Sequence, residues 1–230
     1  MRYLLLTLLM LLASSAALAG PLENGAAAYM RRDYATALQT WQPIARRGSA
    51  PAQHNLGIMY AQGQGVAQDY SEAFNWYRMA ADQGYAPAQQ NLGLMYAQGQ
   101  GVTRDMAEAV KWHQKAADQG YAPAQTNLAF AYLRGLSVPQ NFSEAVKWYR
   151  RAADQGNADA QHNLGRMYAA GQGVPADKVQ AYMWTELAVS HQTDPKDREV
   201  SIKNRDAIAQ TMTAEQIAEA QRLARAWKTK

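Results

Sequence analysis

AQQNLGLMYAQGQGVTRDMAEAVKWHQKAADQGYAP, residues Ala88–Pro123, decides the fold, because the chain returns to it every 36 residues. The copy at Ala52–Pro87 agrees with it at 25 of 36 positions. A third copy occupies Ala124–Asp159, and a fourth opens at Ala160 with AQHNLGRMYAAGQGV. Self-similarity at a fixed period of this size marks stacked supersecondary units, each burying its apolar face against the next.

Two helices fit inside one period. Asp33, Asp69, Asp105, Asn141 and Asp177 recur in phase. Each is a good N-cap, since its side-chain oxygen accepts from the free amides of a first helical turn. Glu72, Glu108, Glu144 and Gln180 follow three residues on, the spacing of a capping box. Gly48, Gly84, Gly120 and Gly156 then supply the left-handed residue that ends a helix. These signals predict a helix B of about four turns. Helix A is predicted over Ala52–Gln62 and its copies, with Leu56, Met59 and Tyr60 on one face. A Gly-rich turn joins A to B: Gly63-Gln64-Gly65-Val66, Gly99-Gln100-Gly101-Val102, Gly135-Leu136-Ser137-Val138 and Gly171-Gln172-Gly173-Val174.

Helix B alternates small and large residues on one face. Ala73, Trp76 and Ala80 recur as Ala109, Trp112 and Ala116, as Ala145, Trp148 and Ala152, and as Ala181, Trp184 and Ala188. Alanine lets helices approach and the indole fills the space between them, so the Trp stripe reads as core rather than as a ligand platform.

The pattern A-Q-x-N-L-G-x-M-Y-x-x-G-x-G-V, followed by D-x-x-E-A-x-x-W-Y-x-x-A-A-x-Q-G, resembles the Sel-1-like repeat (SLR) family of the tetratricopeptide superfamily. The resemblance covers residues 52–191 as units 52–87, 88–123, 124–159 and 160–191. It implies an all-α, right-handed α-solenoid of antiparallel helix pairs that binds other proteins. Members of the family act as adaptors, as exported host-interaction proteins, and in some cases as neutralisers of toxic effectors. The chain departs from the branch stapled by disulfides, because it has no cysteine. Its third unit also departs, with Ala129 and Ala131 in place of Gly and Met, and Leu136-Ser137 in place of Gln-Gly.

Both ends read as degenerate capping units. In the segment 20–51, Leu22–Arg31 and Asp33–Arg47 read as helices with no Gly-rich turn between them. In the segment 192–230 the motif fades but the phase survives. Asp194-Pro195 opens a helix to about Gln210, and Thr213 with Gln216 forms a capping box. Ile217, Ala220 and Ala224 stand 36 residues after Ala181, Trp184 and Ala188.

Residues 1–19 carry a basic start at Arg2, an apolar run Leu4–Leu12, and Ala17-Leu18-Ala19 as a cleavage pattern. This predicts a secretory signal peptide and an exported, periplasmic or secreted, mature chain. Without a cysteine after Ala19 it is not expected to be lipidated, and no stable membrane span is expected after cleavage.

With 48% hydrophobic and 18% charged residues, the composition is that of a folded domain rather than a disordered chain. The net charge of +4 is scattered with no basic run, so no nucleic acid is expected as a partner. The Gly-rich turns lack a preceding strand and a following Lys-Ser/Thr, so they do not read as phosphate cradles. His54 and His162 stand at equivalent positions three units apart, on the order of 30 Å at about 10 Å per helix layer, and cannot share a metal. His113 takes the place of Tyr77 and Tyr149, and His191 has no acidic cluster beside it. No G-x-S-x-G or S-x-x-K occurs, so no nucleophile is apparent. Glu72, Glu108 and Glu144 are assigned to capping. No cofactor and no catalysis are expected. A cell-wall or β-lactam hydrolase would require Ser, His and Glu residues brought together by the fold.

What varies between copies is one stripe of helix A, spaced i, i+4, i+8. It reads His54, Ile58, Gln62; Gln90, Leu94, Gln98; Thr126, Phe130, Arg134; and His162, Arg166, Ala170. In the tetratricopeptide superfamily helix A lines the concave face. The stripe is therefore the expected protein-binding site, an apolar track through Ile58, Leu94 and Phe130 ending at Arg134 and Arg166. The variable helix B positions (Asn75, Lys111 and Lys147; Arg78, Gln114 and Arg150) read as a solvated face. The function expected is an exported scaffold that binds a partner protein in this groove. The alternative is an immunity or inhibitor protein that occludes a toxin enzyme.

Overall fold

The computed structural model describes residues 20–229, so the predicted signal peptide lies outside the described residues. Among the described residues there are twelve α-helices and no strand. The first compact unit, ending at Arg104, holds α1 (Pro21–Met30), α2 (Tyr34–Arg46), α3 (Ala50–Gln62), α4 (Tyr70–Asp82) and α5 (Ala86–Gln98). The second, from Asp105, holds α6 (Met106–Asp118), α7 (Ala122–Arg134), α8 (Phe142–Asp154), α9 (Ala158–Ala170), α10 (Lys178–His191), α11 (Pro195–Ala209) and α12 (Ala214–Ala226). Within each unit consecutive helices pack on one another as far as α10, and α11 and α12 both pack on α10. This is an all-α fold of the α-solenoid class.

The A helices start two residues earlier than the repeat pattern suggests. Pro51, Pro87 and Pro123 lie in the first turns of α3, α5 and α7 rather than ahead of them. Proline is tolerated there because first-turn amides have no intrahelical acceptor to lose.

The caps form differently from the expectation as well. Asp69, Asp105, Asn141 and Asp177 each accept from the backbone amide three residues on. The reciprocal half of the capping box is absent at Asp69, Asn141 and Asp177. Their backbone N–H groups already donate to the carbonyls of Tyr60, Tyr132 and Tyr168, at 3.0–3.1 Å. The acidic side chains are released to the surface, where Glu108 and Glu144 pair with Lys111 and Lys147 at 2.7 and 2.6 Å. A full capping box forms at Thr213 and Gln216.

The Ala-Gln dipeptide of each copy also has a physical reason. Gln53, Gln89, Gln125 and Gln161 are buried and donate from Nε2 to the carbonyls of Ala45, Ala81, Ala117 and Ala153, at 2.9, 3.1, 3.3 and 3.1 Å. Those carbonyls lie in the last turn of a B helix, where each also accepts the backbone N–H of the glycine that ends it, Gly48, Gly84, Gly120 or Gly156. The side-chain amide of the next A helix is a second donor to the same oxygen, and it ties one helix pair to the next.

Trp112, Trp148 and Trp184 are 4%, 8% and 2% exposed, with their flanking alanines fully buried. Trp76 departs from the stripe. It is half-buried and packs on the cluster of Ala28, Trp41, Leu56 and Met59, while its neighbour Tyr77 is the buried aromatic of α4. Helices α11 and α12 are thinly packed; Ser201 and Ala220 are the buried residues they contribute.

Ser137 carries strain that the other copies avoid. Its φ is +54°, where Gly65, Gly101 and Gly173 adopt +73°, +68° and +73°. A Cβ added at Gly173 would lie 2.4 Å from the Phe142 carbonyl oxygen, so the position favours glycine for space as well as for φ. Ser137→Gly is expected to raise stability by about 1 kcal/mol, the cost of a left-handed non-glycine residue. Urea unfolding checks this, and an unchanged midpoint would mean the loop has already relaxed around the serine.

Candidate protein-binding surface

The variable stripe runs from depth to rim along each A helix. In the first unit Gln90 is buried at 6% exposure, His54 is half-buried, and Gln62 and Gln98 are exposed. Ile58 and Leu94 are half-buried, and Ile58 packs on Ala73, Tyr77 and Met95, so part of the expected apolar track serves the core here. His54 packs against the Tyr77 ring at a tilt and edge-on to Tyr85, and is hydrogen-bonded at Nε2 to the Asn91 amide, 3.1 Å away. Its burial holds the imidazole pKa below the ordinary value.

In the second unit the same stripe reaches the surface. Phe130 is 44% exposed, Arg134 and Arg166 are exposed, and Thr126 and His162 are half-buried. These residues line two hollows that share Phe130 and Asn163. One, of about 350 Å³, is walled by Thr126 and Phe130 of α7, Tyr149 of α8, Asp159 and His162 of α9, and Val200 of α11, among others. The other, of about 460 Å³, is lined by Phe130, Arg134, Phe142, Arg166 and Ala170. Phe130 is thus the ridge between a hollow with acidic walls and one with basic walls. Val200, 50% exposed on the first rim, extends the apolar surface.

The fold does bring His162 and Ser201 together, at 2.8 Å. The hydrogen-bond chain is nevertheless not that of a nucleophile. Asn204 donates from Nδ2 to His162 Nε2 at 3.2 Å, which places the imidazole proton on Nδ1, facing Ser201 Oγ. Ser201 in turn donates to Gln192 Oε1 at 2.8 Å, and Gln192 donates from Nε2 to Asp159 at 2.9 Å. The serine proton points away from the imidazole, the second ring nitrogen meets an amide instead of a carboxylate, and Ser201 is wholly buried. Among the described residues no group of His, Asp and Glu side chains could hold a metal ion.

Several residues of this surface stand outside the sequence-predicted stripe: Asp159, Asn163, Asp197, Val200 and Ser201. One signal was available. Asp159 replaces the proline that Pro51, Pro87 and Pro123 supply, so the fourth copy opens its A helix on an acid.

Tandem helix pairs on a 36-residue period define a tetratricopeptide-like α-solenoid. The chain belongs to the Sel1 repeat family, whose repeat matches residues 50–85, 86–121, 122–157 and 158–192. A protective antigen of uropathogenic Escherichia coli strains that displays an SLR fold is similar, with a TM-score of 0.76 and 34% identity. That match covers 84% of this chain but 40% of the antigen, so the chain spans less than half of that protein's length. A Sel1 repeat protein from Oxalobacter formigenes matches with a TM-score of 0.68 and 29% identity, over 83% of this chain and 85% of its own. An immunity protein from Pseudomonas aeruginosa shares the fold with a TM-score of 0.50 and 19% identity, over 81% of this chain and 82% of its own. No curated protein matches the chain in sequence.

Proposed function

We propose that the protein is an exported, non-enzymatic scaffold that binds a partner protein on the face presented by its A helices. The observation that carries the reading is Phe130. A large apolar side chain stands 44% exposed on the stripe where the copies differ, between two hollows of opposite charge. An exposed aromatic beside concave surface is the form that interface anchors take. Export rests on the sequence pattern of residues 1–19.

Phe130→Glu with Arg166→Glu is expected to leave the circular dichroism melt close to the parent's, since both side chains are exposed, while weakening capture of the partner from periplasmic extract at least tenfold. One stoichiometric protein lost in the variant supports the reading. If that protein is an enzyme whose activity falls on binding, the scaffold is an immunity or inhibitor protein, and an immunity protein from Pseudomonas aeruginosa shares the fold; several partners make it an adaptor. A partner held equally by parent and variant moves the interface elsewhere, and a large fall in the melt places Phe130 in the core.

A further inference from the structure

The acidic hollow of the second unit is built more specifically than an exposed surface requires. Tyr149 is 0% exposed, lines the hollow, and its hydroxyl has no hydrogen-bond partner among the described residues. Burying an unpaired hydroxyl is unfavourable, so a phenol kept there is poised for a group that is not part of this chain. Asp159 and Asp197 line the same hollow, and no lysine or arginine does. His162 adds no charge, since burial first, and Arg166 next, hold its pKa below the ordinary histidine value. The walls therefore offer oxygen acceptors and the negative charge of two carboxylates, offset in part by Arg166, which acts on both Tyr149 and His162 from outside the lining, with the Phe130 ring at the mouth.

We propose that this hollow receives the guanidinium group of an arginine side chain on the partner protein, with Tyr149, Asp159 and Asp197 as its acceptors and Phe130 against its aliphatic stem. The inference rests on the binding surface proposed above and names the chemistry of its occupant. A guanidinium presents five N–H donors in a planar fork, which suits acceptors that stand on three different helices. An ammonium is a single compact charge without that planar fork. The basic hollow across Phe130, with Arg134 and Arg166, then takes an acidic residue of the same partner segment, so the two hollows fix its direction along the surface.

The test is a titration of the purified protein with blocked tripeptides, followed by nuclear magnetic resonance. Acetyl-Leu-Arg-Leu-amide is expected to bind at least tenfold more tightly than the same peptide with norleucine in place of arginine. Asp159→Asn with Asp197→Asn is expected to remove that difference, and Tyr149→Phe to reduce it about threefold while melting no lower than the parent. Equal binding of the two peptides, or an arginine preference untouched by the double variant, overturns the assignment. Acetyl-arginine methylamide binding as tightly as the tripeptide also overturns it, since the occupant is then a small guanidinium compound rather than a partner's side chain. The partner-capture assay separates the two ideas. Capture lost with Phe130→Glu but kept with the double Asn variant ends the arginine proposal and leaves the binding surface standing; capture kept by both variants ends both.

Discussion

Replacing Trp112 with Ala is expected to lower the stability of the second unit by about 3–5 kcal/mol, the usual loss for a buried aromatic cut back to a methyl group. The indole is 4% exposed on α6, and the alanines one turn to either side, Ala109 and Ala116, are fully buried. Those small residues let the backbones approach, so they cannot move inward to fill the void, and the cavity term is retained in full. Lys115 adds to the loss. Its ammonium lies 3.9 Å from the indole centroid, so the stem covers the ring and the charge faces its π surface. Trp76→Ala is the internal comparison. Trp76 occupies the same place in the repeat but is half-buried, so its loss is expected to be the smaller of the two. Urea unfolding followed by circular dichroism gives both numbers. A Trp112 effect under about 1 kcal/mol, within the ordinary range for surface changes, would remove the Trp stripe from the core; equal effects at the two sites would mean that exposure does not set the cost.

That comparison shows where the sequence was legible and where it was not. Helix existence was legible because each copy repeats its own start and stop signals, and an Asp cap at one end agrees with a left-handed glycine just past the other. The starts of the A helices were not legible, since a proline reads equally as a breaker and as a first-turn residue, and only the backbone distinguishes them. The fate of Glu108 and Glu144 was also hidden. Whether an N3 carboxylate reaches back to the cap depends on whether the cap amide is free, and a tyrosine carbonyl nine residues upstream occupies the amide of Asn141. The stripe through Thr126, Phe130, Arg134, His162 and Arg166 was legible as the place where copies differ. The hollow beside it was not, because part of its wall comes from Asp197, Val200 and Ser201 in a helix that has lost the repeat motif. Tyr149 was hidden for the opposite reason: as the counterpart of Tyr77 it looked like any core aromatic, and only the geometry shows its hydroxyl unpaired.

Stability is expected to fall as pH drops from about 6.5 to about 4, and His113 is the main cause. In α6 this histidine takes the position that Tyr77 and Tyr149 hold in the neighbouring copies, and it is 5% exposed. Its Nδ1 is buried without a hydrogen-bond partner among the described residues. Burial disfavours the imidazolium and pushes its pKa down to about 4, against 6.5 for the free side chain. Above about pH 6.5 both the folded and the unfolded chain hold His113 neutral, and the contribution is zero. Between the two values the unfolded chain takes up a proton that the folded chain refuses, so each step down in pH favours unfolding; below about 4 both are protonated and the effect levels off. The full drop is about 3 kcal/mol at 1.36 kcal/mol per pH unit. His54 and His162 titrate in the same direction, both lowered chiefly by burial, so some slope persists without His113. The measurement is urea unfolding at intervals from pH 7 to pH 4 for the parent and for His113→Tyr, which installs the residue that the first and third copies carry. The variant is expected to lose most of the dependence across that window, whatever its stability at neutral pH. Parallel curves for the two proteins would show that His113 is protonated in the folded state without penalty, and would mean that water reaches an imidazole the packing encloses.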